Sequence, residues 1–413
     1  MGSLVVGCRR CSAVDRAAVG QLVVAAAVVV RRRSGGGPQG SHVIHIHQSH
    51  LNFFLLFLFL LRCVPALSDA TIDDLFVLKK GADGQDTTKS GGCASRLPIP
   101  LGTWLSESKA LADSGLKALA DSTNPFAAEY DTARRYLWNH FKIDSTSDAT
   151  AMAFVKGYLT RVQQFLNGSP SPGATPHLYC DDTWLTRLSR TDAAWDAEKD
   201  TITTIDPSDP NGAFAPVAIE DIAEYRQFLW KDGEDGSDAL VRNANIPYWS
   251  DDLGQYIFDQ DYGRGKTYCT VSKDNLGATQ EQTARSTVTL CSSSFTTRYF
   301  VDGLGSKKPT KGMALGKVLP RSATFYHEVF HLVMGNADTP DITYEWPVQQ
   351  EWLNNPMEIR EGEDESNGQL IQRNPESYVF FSVGYWYFQQ TQWSKQSNQR
   401  WSFQSGVAEL VQI

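Results

Sequence analysis

The chain has 413 residues, of which 41% are hydrophobic and 11 are tryptophan, so it can bury a sizeable core in one large domain or in two or three smaller ones. Its net charge is −9 for the whole chain and −15 without residues 1–68, which contain seven arginines and one aspartate. This acidic balance argues against nucleic acid as a partner and favours basic polypeptides.

Residues 1–50 differ in composition from the rest of the chain. They contain Arg31–Arg33, a glycine-rich patch and four histidines between His42 and His50. We predict a disordered or mis-assigned leader, with a metal-binding histidine tract as the alternative. The apolar run from Ala17 to Val30 is short for a membrane span.

Residues 51–68 predict a signal peptide. The run Phe53–Leu61 is its hydrophobic part. The small residues Ala66 and Ser68 follow that run, and we expect cleavage after one of them. A signal anchor is the weaker alternative because the apolar run is short. The remaining chain is therefore expected to be secreted and extracellular, a monomer without stable membrane association.

Beyond the signal peptide, composition divides the chain into two parts. Residues 69–114, rich in Gly, Ser and Lys around their middle, predict a loose arm or a propeptide. Residues 115–413 predict the main domain, with its core motifs within residues 265–390.

Hydrophobic spacing predicts the elements of the main domain. Apolar residues three and four apart predict helices over residues 124–141, 152–166 and 219–229. Residues 266–269 and 286–291 are predicted to be strands, and the second alternates with β-branched residues.

Four cysteines remain after signal removal: Cys93, Cys180, Cys269 and Cys291. An even count in a secreted chain predicts two disulfides. A Cys269–Cys291 bridge would clamp the two predicted strands, which leaves Cys93 for Cys180. The sequon Asn167-Gly168-Ser169 is consistent with the same compartment.

The sequence His327-Glu328-Val329-Phe330-His331 contains an H-E-x-x-H motif. On a helix, residues four apart share one face, so His327 and His331 can offer two imidazole nitrogens to one metal ion. Glu328 is then placed to act as the general base on water. Apolar neighbours predict a buried helix that stops near Gly335. The alternative is a core helix whose histidines only make hydrogen bonds.

The C-terminal part completes the predicted architecture. Residues 346–373 predict an acidic loop region, whose run Glu361–Glu365 either attracts basic side chains or is a solvated surface. Residues 377–388 are apolar all round and predict a buried helix beneath the H-E-x-x-H helix. We therefore predict an α/β (α+β) fold with a helix-rich N-terminal part and a small antiparallel or mixed sheet.

A catalytic zinc ion usually takes three protein ligands. No histidine follows His331, so we expect a carboxylate as the third ligand. Asp341 is favoured because the chain can fold back there, and Tyr344, three residues later, can stabilise an oxyanion. Asp338 is the near alternative, although Asp-Thr-Pro-Asp is also a good turn sequence. The distant alternatives are Glu351, Glu358 and Glu376.

The H-E-x-x-H motif, Asp341-Ile342-Thr343-Tyr344 and the box Asn374–Phe381 together resemble the aspzincins, the deuterolysins and peptidyl-Lys metalloendopeptidases secreted mainly by fungi. The resemblance is concentrated over residues 265–390. It implies a zincin-like fold and a zinc endopeptidase with one zinc ion per chain. By motif position it implies His327, His331 and Asp341 as metal ligands, Glu328 as general base and Tyr344 as transition-state stabiliser.

Three departures from the family pattern surround the expected third ligand. The loop between His331 and Asp341 is one residue longer than is usual in the family. Gly335-Asn336-Ala337 stands where the family has Gly-Thr, and Glu345 replaces a glycine. These changes predict an altered loop geometry.

The expected function is peptide-bond hydrolysis by zinc-activated water on a protein or peptide substrate, with basic substrates favoured by the acidic charge. Two alternatives stay open. One is a catalytically inactive secreted binding protein or effector on a zincin scaffold. The other is a gluzincin-type peptidase that uses Glu376 or Glu351 as its distal metal ligand.

Overall fold

The described part of the chain forms ten helices and thirteen strands. The computed structural model describes residues 69–78, 91–170, 173–205, 208, 211–232, 240–283 and 285–413, which belong to one unit, Ser68–Ile413. The helices are α1 (Ile72–Leu75), α2 (Leu101–Thr123), α3 (Tyr130–Phe141), α4 (Ala149–Leu166), α5 (Arg226–Leu229), α6 (Tyr268–Val271), α7 (Ser322–Met334), α8 (Trp346–Asn354), α9 (Asn367–Arg373) and α10 (Pro375–Gln389).

The strands are short and belong to several small sheets. They are β1 (Val77–Leu78), β2 (His177–Tyr179), β3 (Leu185–Arg187), β4 (Thr203–Ile205), β5 (Phe214–Pro216), β6 (Trp230–Asp232), β7 (Leu240–Arg242), β8 (Asn245–Ser250), β9 (Gln255–Gln260), β10 (Gly277–Gln280), β11 (Thr287–Leu290), β12 (Gln399–Ser402) and β13 (Glu409–Gln412). This mixture of helices and small sheets confirms the predicted α+β class.

The H-E-x-x-H helix α7 packs on a four-stranded sheet. The strand order is β1–β2–β11–β10, so β10 is an edge strand. Strands β1 and β11 run parallel to β2, whereas β10 is antiparallel to β11. Because α7 contacts both β10 and β11, this edge of the sheet lies beside the motif.

Helix α2 packs against α3, α4, α7 and α10 and so lies at the centre of the helical layer. Small residues allow this close packing: a Cβ atom on Gly115 would lie 2.8 Å from Ser382 Oγ of α10. Glu107 ties α2 to the start of α7 by accepting hydrogen bonds from Ser322 Oγ at 2.5 Å and from Leu304 N–H at 2.8 Å. The N-terminal end of the motif helix is thereby fixed.

The described residues between positions 181 and 262 form a β-rich part of this unit, which we call the β module. It contains the sheet β3–β8–β9 and the hairpins β4–β5 and β6–β7. Aromatic residues fill its own core, including Trp249, Tyr256 and Phe258. The Gln282 side chain holds the module to the chain that follows β10, because its Oε1 accepts from Phe258 N–H at 2.9 Å and its Nε2 donates to Phe258 O at 2.8 Å.

Several predicted elements are confirmed. Helix α4 covers the predicted residues 152–166, and α7 ends at Met334, just before Gly335, which has a positive φ of 96°. Helix α10 is buried and packs on α7, as its apolar sequence predicted. Helix α3 begins at Tyr130, later than predicted, and Phe126 is 96% exposed.

Three local predictions are wrong. Residues 266–269 are not a strand: a capping box from Thr267 to Thr270 starts the one-turn helix α6. Residues 219–229 form two 3-10 turns and the one-turn helix α5 instead of one helix. The predicted loop region 346–373 contains α8 and α9, and the second of these is capped by Ser366 and Gln369.

The segment predicted as a loose arm or propeptide has packed ends. Ile72, Leu75 and Phe76 are buried, and β1 adds to the main sheet. Helix α2 begins within the same segment, at Leu101. Removal of a propeptide stays a prediction, and the predicted leader and signal peptide lie outside the described residues.

Both predicted disulfides are present, Cys93–Cys180 and Cys269–Cys291. The first joins the chain ahead of α2 to the end of β2, and the second joins α6 to the end of β11. The sequon residue Asn167 is exposed after α4. Among the described residues, no helix combines the length and apolar composition needed to cross a membrane.

Candidate metal centre

Helix α7 brings the two motif histidines together. His327 and His331 are four residues apart, which places both rings on one helix face, and their Nε2 atoms lie 3.1 Å apart. Both side chains are buried, at 5% and 6% exposure. The sequence achieves this because apolar residues cover the rest of the helix and hold it against the sheet and α10.

Asp341 completes a group of three converging side chains. Its Oδ1 lies 3.0 Å from His327 Nε2 and 3.2 Å from His331 Nε2. A tetrahedral ion with bonds of about 2.0–2.1 Å separates its ligand atoms by about 3.3 Å. The three atoms therefore fit the ligand spacing of a small tetrahedral ion, and the group can bind a metal ion.

The outward nitrogen of each histidine is also bonded. His327 Nδ1 lies 3.2 Å from Glu376 Oε2, and His331 Nδ1 lies 3.0 Å from Thr339 Oγ1. Thr339 Oγ1 in turn donates to Gly335 O at 2.6 Å. When each Nδ1 carries the donated proton, each Nε2 lone pair is free for a metal, which is the usual arrangement of metal-binding histidines.

The loop between the helix and Asp341 is anchored on two sides. Tyr158 OH donates to Asp338 O at 2.8 Å, and Arg373 bonds the same carbonyl at 3.1 Å through Nε. On the other side, Asn336 Nδ2 donates to Thr279 O on β10 at 3.0 Å. These contacts hold the loop in the path that returns Asp341 to the histidines.

Asn374, which caps α10, holds the chain just after Asp341. Its Oδ1 accepts from Ile342 N–H at 3.3 Å, and its Nδ2 donates to Thr343 O at 3.0 Å. Because Glu376 follows two residues later, the first turn of α10 supports both Asp341 and His327. The sequence box Asn374–Phe381 thus acts through its first three residues.

Glu328 lies buried next to this group, at 5% exposure. Its Oε2 accepts a hydrogen bond from Thr279 Oγ1 at 2.8 Å. Burial raises the pKa of Glu328, whereas the neighbouring His331 and His327 and the Thr279 hydroxyl lower it, with a net upward shift. A carboxylate with a raised pKa is a stronger base than an exposed one.

The pKa values of His327 and Asp341 are shifted in opposite directions. Burial lowers the pKa of His327, but hydrogen bonds to Asp341 and Glu376 outweigh it and raise this pKa well above its usual value. Burial raises the pKa of Asp341, but hydrogen bonds from both histidines hold it below its usual range. These opposite shifts favour an ion pair between His327 and Asp341 when no metal is bound.

Tyr344 lies over the group, with its ring 5.6 Å from that of His327 and an interplanar angle of 28°. It is 61% exposed, so it faces the space from which a ligand would approach. Desolvation and the Asp341 charge raise the pKa of Tyr344, which keeps the phenol protonated. A protonated phenol can donate a hydrogen bond.

The alternative third ligands lie elsewhere. Glu376 bonds the far nitrogen of His327 and does not belong to the converging group found among the described residues. Asp338, Glu351 and Glu358 do not belong to that group either. The acidic run is exposed apart from Glu365, which pairs with Arg373.

No known protein family, curated protein or solved structure matches this chain. The aspzincin resemblance therefore stays a prediction.

Sequence reasoning missed Thr279 and Thr339. Thr279 belongs to β10, whose sequence Gly-Ala-Thr-Gln directly precedes the turn into the strand β11. Searching for a hairpin partner of β11 would have found it. Thr339 has no such sequence signal, because its contact with His331 depends on the path of the loop.

Proposed function

We propose that the protein is a secreted zinc metalloendopeptidase with a zincin-like fold, related to the aspzincins. The observation that carries this proposal is the convergence of His327 Nε2, His331 Nε2 and Asp341 Oδ1 within 3.2 Å, next to the buried Glu328. Two imidazoles and one carboxylate are ligands typical of a catalytic zinc site, which keeps one position open.

Each side chain then has a defined task. When bound, zinc supplies Lewis-acid chemistry, which polarises the scissile carbonyl and makes water easier to deprotonate. Glu328 accepts a proton from the attacking water and passes it to the leaving amine. Tyr344 donates a hydrogen bond to the developing oxyanion. Glu376 and Thr339 keep the two imidazoles oriented.

The edge strand supports an extended peptide as the substrate. Leu276 O accepts from Cys291 N–H at 2.8 Å, and the register pairs Ala278 with Thr289. In an antiparallel ladder, bonded and non-bonded pairs alternate, so the backbone N–H and C=O groups of Gly277 and Thr279 point away from β11. A peptide strand can add to such an edge, and here it would pass beside Glu328.

The charge distribution supports basic substrates. The described residues of the β module contain 14 acidic and 6 basic residues, a net charge of −8. The module reaches β10 through Gln280 Nε2, which donates to Asp259 Oδ2 at 3.4 Å. An acidic surface next to the edge strand would raise the local concentration of cationic polypeptides, and high salt would weaken this effect.

The test is Glu328→Gln in the complete secreted protein, assayed on a basic protein such as protamine. We expect activity to fall by about 10²–10⁴-fold, because the general base is lost, while zinc content stays at one ion per chain. Glu409→Gln, at an exposed position on β13, is the matched control and should keep full activity.

Undiminished cleavage by Glu328→Gln would show that the mechanism is wrong. A wild-type protein that neither binds zinc nor cleaves any peptide would instead support the binding-protein alternative.

A further inference from the structure

Strand β10 presents alternate side chains to α7. Residues two apart on a strand share one face, so Gly277 and Thr279 share the face that meets Glu328. Both contacts are short: Thr279 Oγ1 lies 2.8 Å from Glu328 Oε2, and a Cβ atom on Gly277 would lie 2.7 Å from Glu328 Oε1. The two carboxylate oxygens therefore meet two neighbouring positions of one strand.

Thr279 anchors one of these oxygens. Its side chain is 7% exposed, and its single hydroxyl proton can be donated to Glu328 Oε2 at 2.8 Å or to the Glu328 carbonyl at 3.2 Å. The shorter contact goes to the charged group, and charge-assisted hydrogen bonds are the stronger ones. One rotamer of the Glu328 side chain is thereby favoured.

Gly277 provides space for the other oxygen. Its φ is not in the left-handed region, so the backbone conformation does not require glycine here. Glycine is required here by the side chain of Glu328. A Cβ atom at residue 277 would lie 2.7 Å from Oε1 and 3.0 Å from both Cδ and Cγ. Any other residue would therefore displace the carboxylate or the strand.

We propose that Gly277 and Thr279 are positioning residues for the general base. Thr279 holds Oε2, and the absence of a side chain at residue 277 leaves Oε1 in place to exchange a proton with water. The proposal rests on the proposed function only for its catalytic consequence. The contacts themselves predict a coupling between β10 and Glu328 that is measurable without any substrate.

The first measurement is a double-mutant cycle on thermal unfolding. Gly277→Ala should lower the Tm of the wild-type protein by several degrees, because the added methyl group collides with the Glu328 carboxylate. In a Glu328→Ala background this collision is absent, so the same change should leave the Tm nearly unaltered. Gly157→Ala is the control without a collision, because a Cβ atom there would meet nothing within 4 Å. Since Gly157 lies within α4, this change should raise the Tm slightly.

The second measurement is steady-state kinetics at equal zinc content. Thr279→Val keeps the side-chain shape and removes the hydroxyl, so we expect kcat to fall at least about tenfold with little change in KM, since a hydrogen bond to a charged group is lost. Thr279→Ser should restore most of kcat. Thr287→Val on β11 is the control, because that buried hydroxyl has no hydrogen-bond partner among the described residues.

The two measurements separate the possible failures. If Gly277→Ala lowers the Tm equally in both backgrounds, the residue does not act through Glu328 and the positioning proposal is wrong. If the coupling is present but the zinc-loaded wild type cleaves nothing, the positioning stands and the proposed peptidase function fails. If kcat of Thr279→Val equals that of wild type, Thr279 does not position the base.

Discussion

Glu376 Oε2 lies 3.2 Å from His327 Nδ1, while Asp341 Oδ1 lies 3.0 Å from Nε2 of the same ring. One imidazole thus lies between two carboxylates, and only the second belongs to the converging group. This relationship distinguishes the two acids, which were both candidates for the third ligand. It also predicts different consequences of removing each acid.

Glu376→Gln should weaken zinc binding by about 10–100-fold, the usual effect of losing a carboxylate that orients a metal-binding histidine. The amide still accepts the Nδ1 proton but carries no charge to strengthen the basicity of the ring. Competition with a chromophoric chelator measures the change, and circular dichroism checks that the fold is kept.

Asp341→Ala provides the contrast, because it removes a ligand atom. We expect this variant to lose its zinc at chelator concentrations that Glu376→Gln survives. Retention of zinc by Asp341→Ala, with its loss from Glu376→Gln, would instead identify Glu376 as the ligand and favour the gluzincin-type alternative.

Sequence patterns predicted the elements whose burial follows a regular period. Helices α4, α7 and α10 were recognised because apolar side chains recur along them or cover them entirely. Helix α2 was missed because Ser108, Ser114 and Gly115 resemble loop residues in the sequence. In the structure these small residues let neighbouring helices approach, so tertiary packing stabilises a helix that local propensity does not indicate.

In the candidate site, too, some features follow from sequence spacing and others depend on the fold. Spacing alone places His327 and His331 on one face, because four residues make about one helical turn. The contacts of Asp341 depend on Arg373, Tyr158 and Asn374, which come from elements far away in the sequence. Such contacts carry no local period, so only the fold reveals what holds the loop.

Metal uptake should release about one proton at pH 7. Asp341 and Glu376 raise the pKa of His327 well above 6.5 despite its burial, so we expect the metal-free ring to be protonated at neutral pH. A metal ion requires the neutral imidazole, and apparent affinity must therefore rise with pH until the pKa of the metal-free ring is passed. Calorimetry in two buffers of different ionisation enthalpy measures the proton count.

Glu376→Gln is again the control, because it removes one of the two groups that raise this pKa and should reduce the proton release. The stability of the metal-free protein changes with pH in the opposite direction to its affinity for metal. A raised folded-state pKa stabilises the metal-free protein below pH about 6.5, and this contribution is lost as pH rises through the folded-state value. Equal binding heats in both buffers would contradict the protonated state of His327.

The two disulfides should contribute unequally to the free energy of unfolding. Cys93–Cys180 closes a sequence separation of 87 residues and Cys269–Cys291 one of 22. The chain-entropy relation gives about 4.6 and about 3.4 kcal/mol for loops of these lengths. Replacing both cysteines of each pair by alanine and measuring urea unfolding tests the order. A larger loss for the shorter loop would show that native contacts at Cys269 outweigh the entropy term.

Asn336 should limit how far a peptide can pair with the edge strand. Its Nδ2 occupies the outward-facing carbonyl of Thr279, and its N–H donates to Glu281 Oε2 at 3.0 Å. Asn336→Ala frees the Thr279 carbonyl, so one more strand hydrogen bond becomes available to a long substrate. We expect kcat/KM for the longer peptides of a length series to rise by about 2–10-fold, the value of one backbone hydrogen bond.

The series must extend the peptide separately at each end, because only the end that passes Thr279 should respond. Zinc content, measured in parallel, shows whether the loop between α7 and Asp341 still holds Asp341 next to the histidines after the change. Asn398→Ala, at an exposed position near the C-terminus, should leave the length profile unaltered. If Asn336→Ala shows the wild-type dependence on peptide length at both ends, the substrate does not run along β10 beyond Gly277. The prediction that Asn336 limits strand pairing is then wrong.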